Sequence, residues 1–213
     1  MSKTFSVFMD KNMTESTQGI ANLPQGMSES NIIAEIKRDH EEMKTYYTNF
    51  KNATTVEESN KWFNQFVLET SRHSVGEELV LYPLMEKLSQ KGKDLADAGR
   101  KDHHEAKELL YAASKEKDPV AFDAKMEEIM KDLLQHMEKE EKEDLVYVQD
   151  SVPEKDLVHA GKMFSLKKKI VPTRPHPAIP EKPVALEAAL GLLVAPLDKF
   201  KDLFSSFPDK SEV

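Results

Sequence analysis

The sequence carries the segment RDHEEMK at residues 38–44 and repeats its pattern as KDHHEAK at residues 101–107. A second pair of segments stands at the same offset of 63 residues, HSVGEE at 73–78 and HMEKEE at 136–141. Each half of this region therefore holds one histidine, followed by a second histidine with a glutamate four residues after it. The repeat predicts two similar helical hairpins related by an internal two-fold.

Apolar residues recur at intervals of three and four between Ser30 and about Asp150, which is the period of amphipathic helices. We predict that Gly92 ends the second of four helices. The predicted helices cover about 30–51, 56–90, 93–116 and 119–150. Because the connections are short, neighbouring helices must pack antiparallel. The predicted fold is all-α, an up-and-down four-helix bundle with an internal two-fold repeat.

The four histidines of the repeat are 33, 30 and 33 residues apart, so each falls near the middle of its own predicted helix. Residues three and four apart share a helix face. Each histidine lies on an apolar stripe, as His73 does with Phe66 and Val80. We therefore predict that six polar side chains converge in the core: His40, His73, Glu77, His103, His136 and Glu140.

Carboxylates buried at one level carry a large desolvation cost unless cations neutralise them. The six side chains suit two metal ions, with His, His and Glu supplied by each half and the glutamates able to bridge. Nitrogen and carboxylate donors fit iron, with manganese and zinc as alternatives. The competing interpretation is that these His-x-x-x-Glu pairs lie on solvated helix faces, which is common in a chain with 38 acidic residues.

Composition excludes several other kinds of site and partner. The 213-residue chain has no cysteine, which excludes disulfides, thiolate zinc sites, iron–sulfur clusters and cysteine nucleophiles. A net charge of -8 without a basic stripe argues against nucleic acid as a partner. No stretch approaches the roughly 18 apolar residues of a transmembrane segment, and we see no secretory signal, so we expect a cytoplasmic protein.

These residues resemble the haemerythrin-like family, also called HHE cation-binding domains, over about residues 30–150. The resemblance rests on Asp39-His40, on Asp102-His103, on the run HSVGEELVLYP at 73–83 and on HMEKEE at 136–141. The segment PTRPHP at 172–177 is also similar to the tail of fungal members. The resemblance implies a four-helix bundle around two non-haem iron ions joined by an oxo or hydroxo bridge.

The chain departs from oxygen-carrying members of that family at two positions. Those members place a second histidine where this chain has Lys107, and an aspartate where it uses Glu140. The loss of one imidazole argues against reversible oxygen carriage. Our first hypothesis is a protein that binds or reacts with dioxygen, peroxide or nitric oxide, and turnover of peroxide would make it an enzyme. The alternatives are an iron- or oxygen-responsive regulatory module without turnover, and a helical scaffold without metal.

Other polar residues near the repeat have no fixed assignment from sequence. We place His104 on the surface and treat His159 and His176 as non-ligands. For the remaining neighbours two interpretations stay open, contact with the site or an ordinary role on a helix face or in the core. They are Lys44, Tyr47, Glu78, Tyr82, Lys107 and Glu141.

We divide the chain into an N-terminal extension at 1–29, the bundle at 30–150 and a C-terminal extension at 151–213. The C-terminal extension contains a proline-rich segment at 171–177, followed by an amphipathic stretch that Pro196 interrupts. The apolar residues of this stretch are Leu186, Leu190, Leu193, Leu197, Phe200 and Phe204. Packing against the bundle is one possible role of the extension, and contact with a partner protein or a membrane surface is the other.

Overall fold

The computed structural model of the chain describes residues 30–179, 184–203 and 205–213. The predicted N-terminal extension lies outside these residues, as do Phe204 and the side chains of Leu186, Leu190 and Leu193. The helices are α1 (Ile32–Asn52), α2 (Val56–Leu79), α3 (Leu81–Leu88), α4 (Gln90–Ala113), α5 (Pro119–Lys139), α6 (Leu145–Ser151), α7 (Glu154–Lys168) and α8 (Val184–Asp202), with a π-helical turn at Glu140–Asp144. No strand occurs in the described ranges, and the predicted all-α fold is confirmed.

Four helical rods form the bundle: α1, α2 continued by α3, α4, and α5 continued through the π turn by α6. Each rod begins at a residue whose side chain accepts a hydrogen bond from a backbone amide of the first turn. These capping residues are Asn31, Thr55, Ser89 and Asp118. The caps fix where each rod starts, and α1 packs on α2, α3 on α4, and α4 on α5.

The predicted boundary at Gly92 is wrong, because the second rod ends before Ser89 and Gly92 lies in the first turn of α4. A Cβ atom at Gly92 would stand 2.1 Å from the carbonyl oxygen of Met85. This glycine therefore permits a close approach between α3 and α4 and does not end a helix.

Both long hairpins are irregular at the same place in the repeat. The second rod breaks at Val80, whose φ and ψ are -128° and -58°, and the fourth rod widens into the π turn at Glu140–Asp144. Val80 and Glu143 are equivalent under the offset of 63 residues. The regular α-helix is thus interrupted at or just after the glutamate of the His-x-x-x-Glu segment in each half.

Two apolar clusters fill the bundle on either side of the histidine level. One contains Ile32, Ile36, Leu81, Tyr82, Met85 and Leu145, and the other contains Met43, Phe66, Leu110, Met126, Ile129 and Leu133. Buried Leu157 and Phe164 of α7 belong to the first cluster, because α7 packs against α1 and α2. The predicted C-terminal extension therefore contributes side chains to the core around the histidines.

The remainder of the C-terminal extension folds back through specific polar contacts. His176 shares a hydrogen bond of 2.7 Å with the buried Asp198, and Thr173 donates one of 2.6 Å to Asp202. Pro196 lies within α8 and does not interrupt it. Among the described helices, none combines the length and the apolar character needed to cross a membrane.

Candidate metal centre

The structure brings all six predicted side chains together at the level between the two apolar clusters. They form two groups. Within each group, the nitrogen and oxygen atoms that could bind a metal ion lie within 4.8 Å of one another. The first group is His40, His73, Glu77 and Glu140, and the second is Glu77, His103 and His136. Glu77 is common to both groups and so stands where a bridging ligand would stand.

The two oxygens of Glu77 face different histidines. Oε1 lies 3.1 Å from Nε2 of His73, and Oε2 lies 3.2 Å from Nε2 of His103. Glu140 approaches a histidine of the other half, since its Oε2 lies 3.3 Å from Nε2 of His40. The six side chains thus gather into one set of four residues and one set of three, which share Glu77.

These close approaches do not have hydrogen-bond geometry. Within the described parts of the chain, seven buried atoms at this level have no hydrogen-bond partner: Nε2 of His40, His73 and His136, and both carboxylate oxygens of Glu77 and Glu140. Burying so many polar atoms without partners would cost several kcal/mol, since each costs about 1–3 kcal/mol. Bound cations require converging lone pairs that are not engaged in hydrogen bonds. These residues therefore fit a metal ion.

A closed ring of carboxylates holds the four histidines from behind. Each Nδ1 atom contacts a carboxylate carried by another rod. The pairs are His40 with Glu141 at 2.8 Å, His73 with Asp39 at 3.2 Å, His103 with Glu78 at 2.9 Å and His136 with Asp102 at 3.2 Å. A carboxylate at Nδ1 keeps the proton there and leaves Nε2 free to bind metal.

This ring assigns a position to two of the residues that the sequence left unassigned. Glu78 and Glu141 contact the site through the histidines. Asp39 and Asp102 have no predicted role, although the repeated Asp-His pair is a signal that identifies both. In an antiparallel bundle, the residue before one histidine reaches the histidine of the next rod.

Two buried lysines neutralise half of this ring. Lys107 donates to both oxygens of Glu78 at 3.0 Å, and Lys168 of α7 donates to Asp39. The side chains of Asp102 and Glu141 are instead 36% and 28% exposed. The centre therefore has a closed side covered by α7 and a side that approaches solvent.

Charge at the centre shifts the pKa values of the histidines. Burial alone would lower the pKa of His73, but Glu77 and Asp39 outweigh it and raise that pKa to about 10. For His103, burial is likewise outweighed by Glu77 and Glu78, and the pKa rises to about 9. The carboxyl of Glu77 has a pKa well below its usual range, because His73 and His103 outweigh its burial. The charges of Glu77 and the two histidines therefore favour one another in the metal-free protein.

Three further residues adjoin the centre. The ring of Phe164, from α7, lies edge-on to His73 with ring centroids 6.0 Å apart. The hydroxyl of Tyr82 is 3.1 Å from Nε2 of His103. Burial, and then Glu140, raise the pKa of Asp144 to about 7. Phe164 and Asp144 were not predicted at the centre, because neither lies within the matched segments of the repeat.

A cavity of about 360 Å³ reaches the second group from the side that approaches solvent. His103 and His136 line it, with apolar walls from Ala106, Ile129 and Leu133. Its polar lining includes Asp102, Glu105, Asp132 and Lys139. Small molecules therefore have space beside His103 and His136, which belong to the group with fewer protein donors.

The histidines that we placed outside the site lie apart from it. The side chain of His104 is 40% exposed and pairs with Glu108 at 3.5 Å. His159 is on α7 and His176 pairs with Asp198, and neither belongs to the two groups that could hold metal.

The fold and the centre define a helical-bundle protein with a buried histidine and carboxylate cluster suited to cations. The family model of the Hemerythrin HHE cation binding domain matches residues 31–147. The chain is also similar to an uncharacterized hemerythrin-like protein of Schizosaccharomyces pombe (strain 972 / ATCC 24843), with 38% identity over 175 residues that cover 81% of this chain and 86% of the relative. No solved structure matches the chain. The chain belongs to the hemerythrin HHE cation-binding family, and the predicted resemblance is confirmed.

Proposed function

We propose that this protein is a non-haem di-iron protein. His40, His73, Glu77 and Glu140 would hold one ion, and Glu77, His103 and His136 the other, with Glu77 bridging. The observation that carries the proposal is the convergence of seven buried lone-pair atoms that lack hydrogen-bond partners in the described chain. Iron suits a mixed set of imidazoles and carboxylates, and manganese and zinc are the alternatives.

The proposed reactivity is toward dioxygen, peroxide or nitric oxide. Bound iron would supply the redox chemistry, and the chain supplies access, exclusion of water and ligand orientation. The group of His103 and His136 has the fewer protein donors and borders the cavity. This cavity combines apolar walls from Ala106, Ile129 and Leu133 with charged side chains, and its volume suits small molecules. These features support entry of the oxidant on the side of α4 and α5.

Anaerobic iron reconstitution followed by metal analysis tests the proposal. We expect about two irons per chain, and a spectral change when oxygen, peroxide or nitric oxide is added. His103→Ala should lose at least one iron, whereas the adjacent His104→Ala should keep both, because His104 is on the surface. His73→Ala and His136→Ala should likewise lose iron, and His159→Ala should not. Equal iron in all these variants, or no iron in the wild type, would refute the proposal.

Contacts made by α7 favour a second candidate function, an iron-responsive module without turnover. Phe164 packs on His73, and Lys168 pairs with Asp39, so the C-terminal extension contacts the centre directly. A ligand that binds the ordered site would stabilise this contact by linkage. Protection of residues 151–213 from protease by iron, without consumption of peroxide, would favour this function. Peroxide turnover without such protection would favour the first.

A further inference from the structure

We propose that Tyr82 is a further ligand of the centre, binding the ion of the His103 group through its phenolate oxygen. This inference rests on the proposed function and adds a seventh ligand residue. The hydroxyl oxygen of Tyr82 lies 3.1 Å from Nε2 of His103, close to the 3.2 Å that separates the same nitrogen from Oε2 of Glu77. The phenol oxygen therefore stands about as far from this nitrogen as the carboxylate oxygen of Glu77 does.

The hydrogen bond of Tyr82 cannot persist once His103 binds metal. Because Nδ1 of His103 faces Glu78, its Nε2 is the atom left for the ion, and once bound it can neither donate to the phenol nor accept from it. Tyr82 is completely buried, and a buried hydroxyl that loses its partner costs about 1–3 kcal/mol. An oxygen–metal bond removes this cost.

The two groups of donors differ by one residue, and Tyr82 lies beside the smaller group. In the described residues, the first group contains His40, His73 and two glutamates. In the second group, Glu77 is the one carboxylate beside His103 and His136. A phenolate at the second group would give each ion four protein ligands. It is an anionic oxygen donor, and it would also balance the charge of a ferric ion better than a neutral group.

The backbone is shaped to bring this phenol to the centre. The break at Val80 separates Tyr82 from the regular helix that carries Glu77, and Tyr82 then enters the core at the start of α3. On α4, a Cβ atom at Gly99 would stand 2.5 Å from the phenol oxygen. A residue larger than glycine there would displace the hydroxyl. Arg100 covers the ring, with its guanidinium carbon 5.2 Å from the centroid.

Ligation changes the protonation of the phenol. The O–H bond breaks, an O–metal bond forms and the proton is released to water, with no change in oxidation state. A cation held beside His103 would favour this ionised form of the phenol.

The test compares iron(III)-loaded wild type with Tyr82→Phe and with Tyr46→Phe, a control at another buried tyrosine that packs on Trp62. Iron per chain and the visible phenolate-to-iron(III) absorption band are measured together. We expect the band in the wild type and in Tyr46→Phe, and its loss in Tyr82→Phe with most of the iron retained. A wild type that holds two irons without the band, or a Tyr82→Phe variant that keeps it, would overturn the assignment.

A second measurement needs no variant and no redox activity. Adding zinc to the metal-free wild type at neutral pH should produce the near-ultraviolet difference spectrum of one ionised tyrosine, out of the five in the chain. Zinc binding without tyrosine ionisation would overturn the ligand role of Tyr82 and leave the metal centre standing. Failure to bind any metal would remove the proposed function and this inference together.

Discussion

Lys168, in a helix that follows the bundle, donates a hydrogen bond to Asp39, and Asp39 in turn holds Nδ1 of His73. Both charged side chains are buried. His73 also offsets the negative charge of Asp39, but only while its imidazole is protonated. When a metal ion displaces that proton from the proposed site, Lys168 still neutralises Asp39 at hydrogen-bond distance, with Arg38 farther away at 3.7 Å.

Replacing Lys168 with methionine should therefore weaken metal binding. Substitutions behind a metal ligand typically cost about 10–100-fold in metal affinity, and we expect about tenfold here. The measurement is the difference in melting temperature between metal-loaded and metal-free protein. Lys168→Met should reduce this difference, whereas Lys169→Met, at an exposed neighbour, should leave it unchanged. If Lys168→Met lowered the melting temperature equally in the metal-loaded and the metal-free protein, the residue would act on the fold alone.

The shared position of Glu77 predicts an unequal effect of two similar substitutions. Glu77→Gln removes a ligand from both groups and should reduce iron to less than one ion per chain. Glu140→Gln affects only the group of His40 and His73, so about one ion should remain. Metal analysis of both variants after the same reconstitution checks this. Equal iron in the two variants would contradict the bridging assignment.

The raised pKa values of His73 and His103, about 10 and about 9, predict opposite pH dependences for two quantities. Both values exceed the usual 6.5, so the stabilisation of the metal-free fold is fully present below pH 6.5 and is lost as the pH rises through about 9 to 10. Metal must displace these protons, so metal affinity should rise over the same range.

Urea unfolding of the metal-free protein at several pH values, beside chelator competition at the same values, measures the two trends. We expect the free energy of unfolding to fall from pH 7 to pH 10 while metal affinity increases. A metal affinity that does not change with pH would show that His73 and His103 are not protonated in the metal-free centre.

Two glycines provide a matched test of the packing. Gly92→Ala would place a Cβ atom 2.1 Å from the carbonyl oxygen of Met85, so α3 and α4 must separate. Overpacking of this kind usually costs about 1–3 kcal/mol, and we expect a loss in the free energy of unfolding of this size. At Gly191 the nearest atom would be 3.5 Å away, an ordinary contact, so Gly191→Ala should be nearly neutral. Denaturant unfolding of both variants gives the comparison.

The sequence predicted the bundle because helix period and internal repeat are local signals. Apolar spacing placed the four rods, and the fixed offset identified one histidine in each. It did not predict the boundary at Ser89, since the sequence does not show that Gly92 must contact Met85 across two helices. It also missed the break at Val80 and the π turn, which change the backbone without a strong turn signal.

The sequence by itself determined which six side chains face the core, since residues three and four apart on a helix share a face. The tertiary structure decided how these side chains divide into groups, that Asp39 and Asp102 hold histidines of neighbouring rods, and that Lys168 and Phe164 of α7 adjoin the centre. Such relationships join residues up to 129 positions apart. They depend on how the rods lie against one another in three dimensions, which no local period encodes.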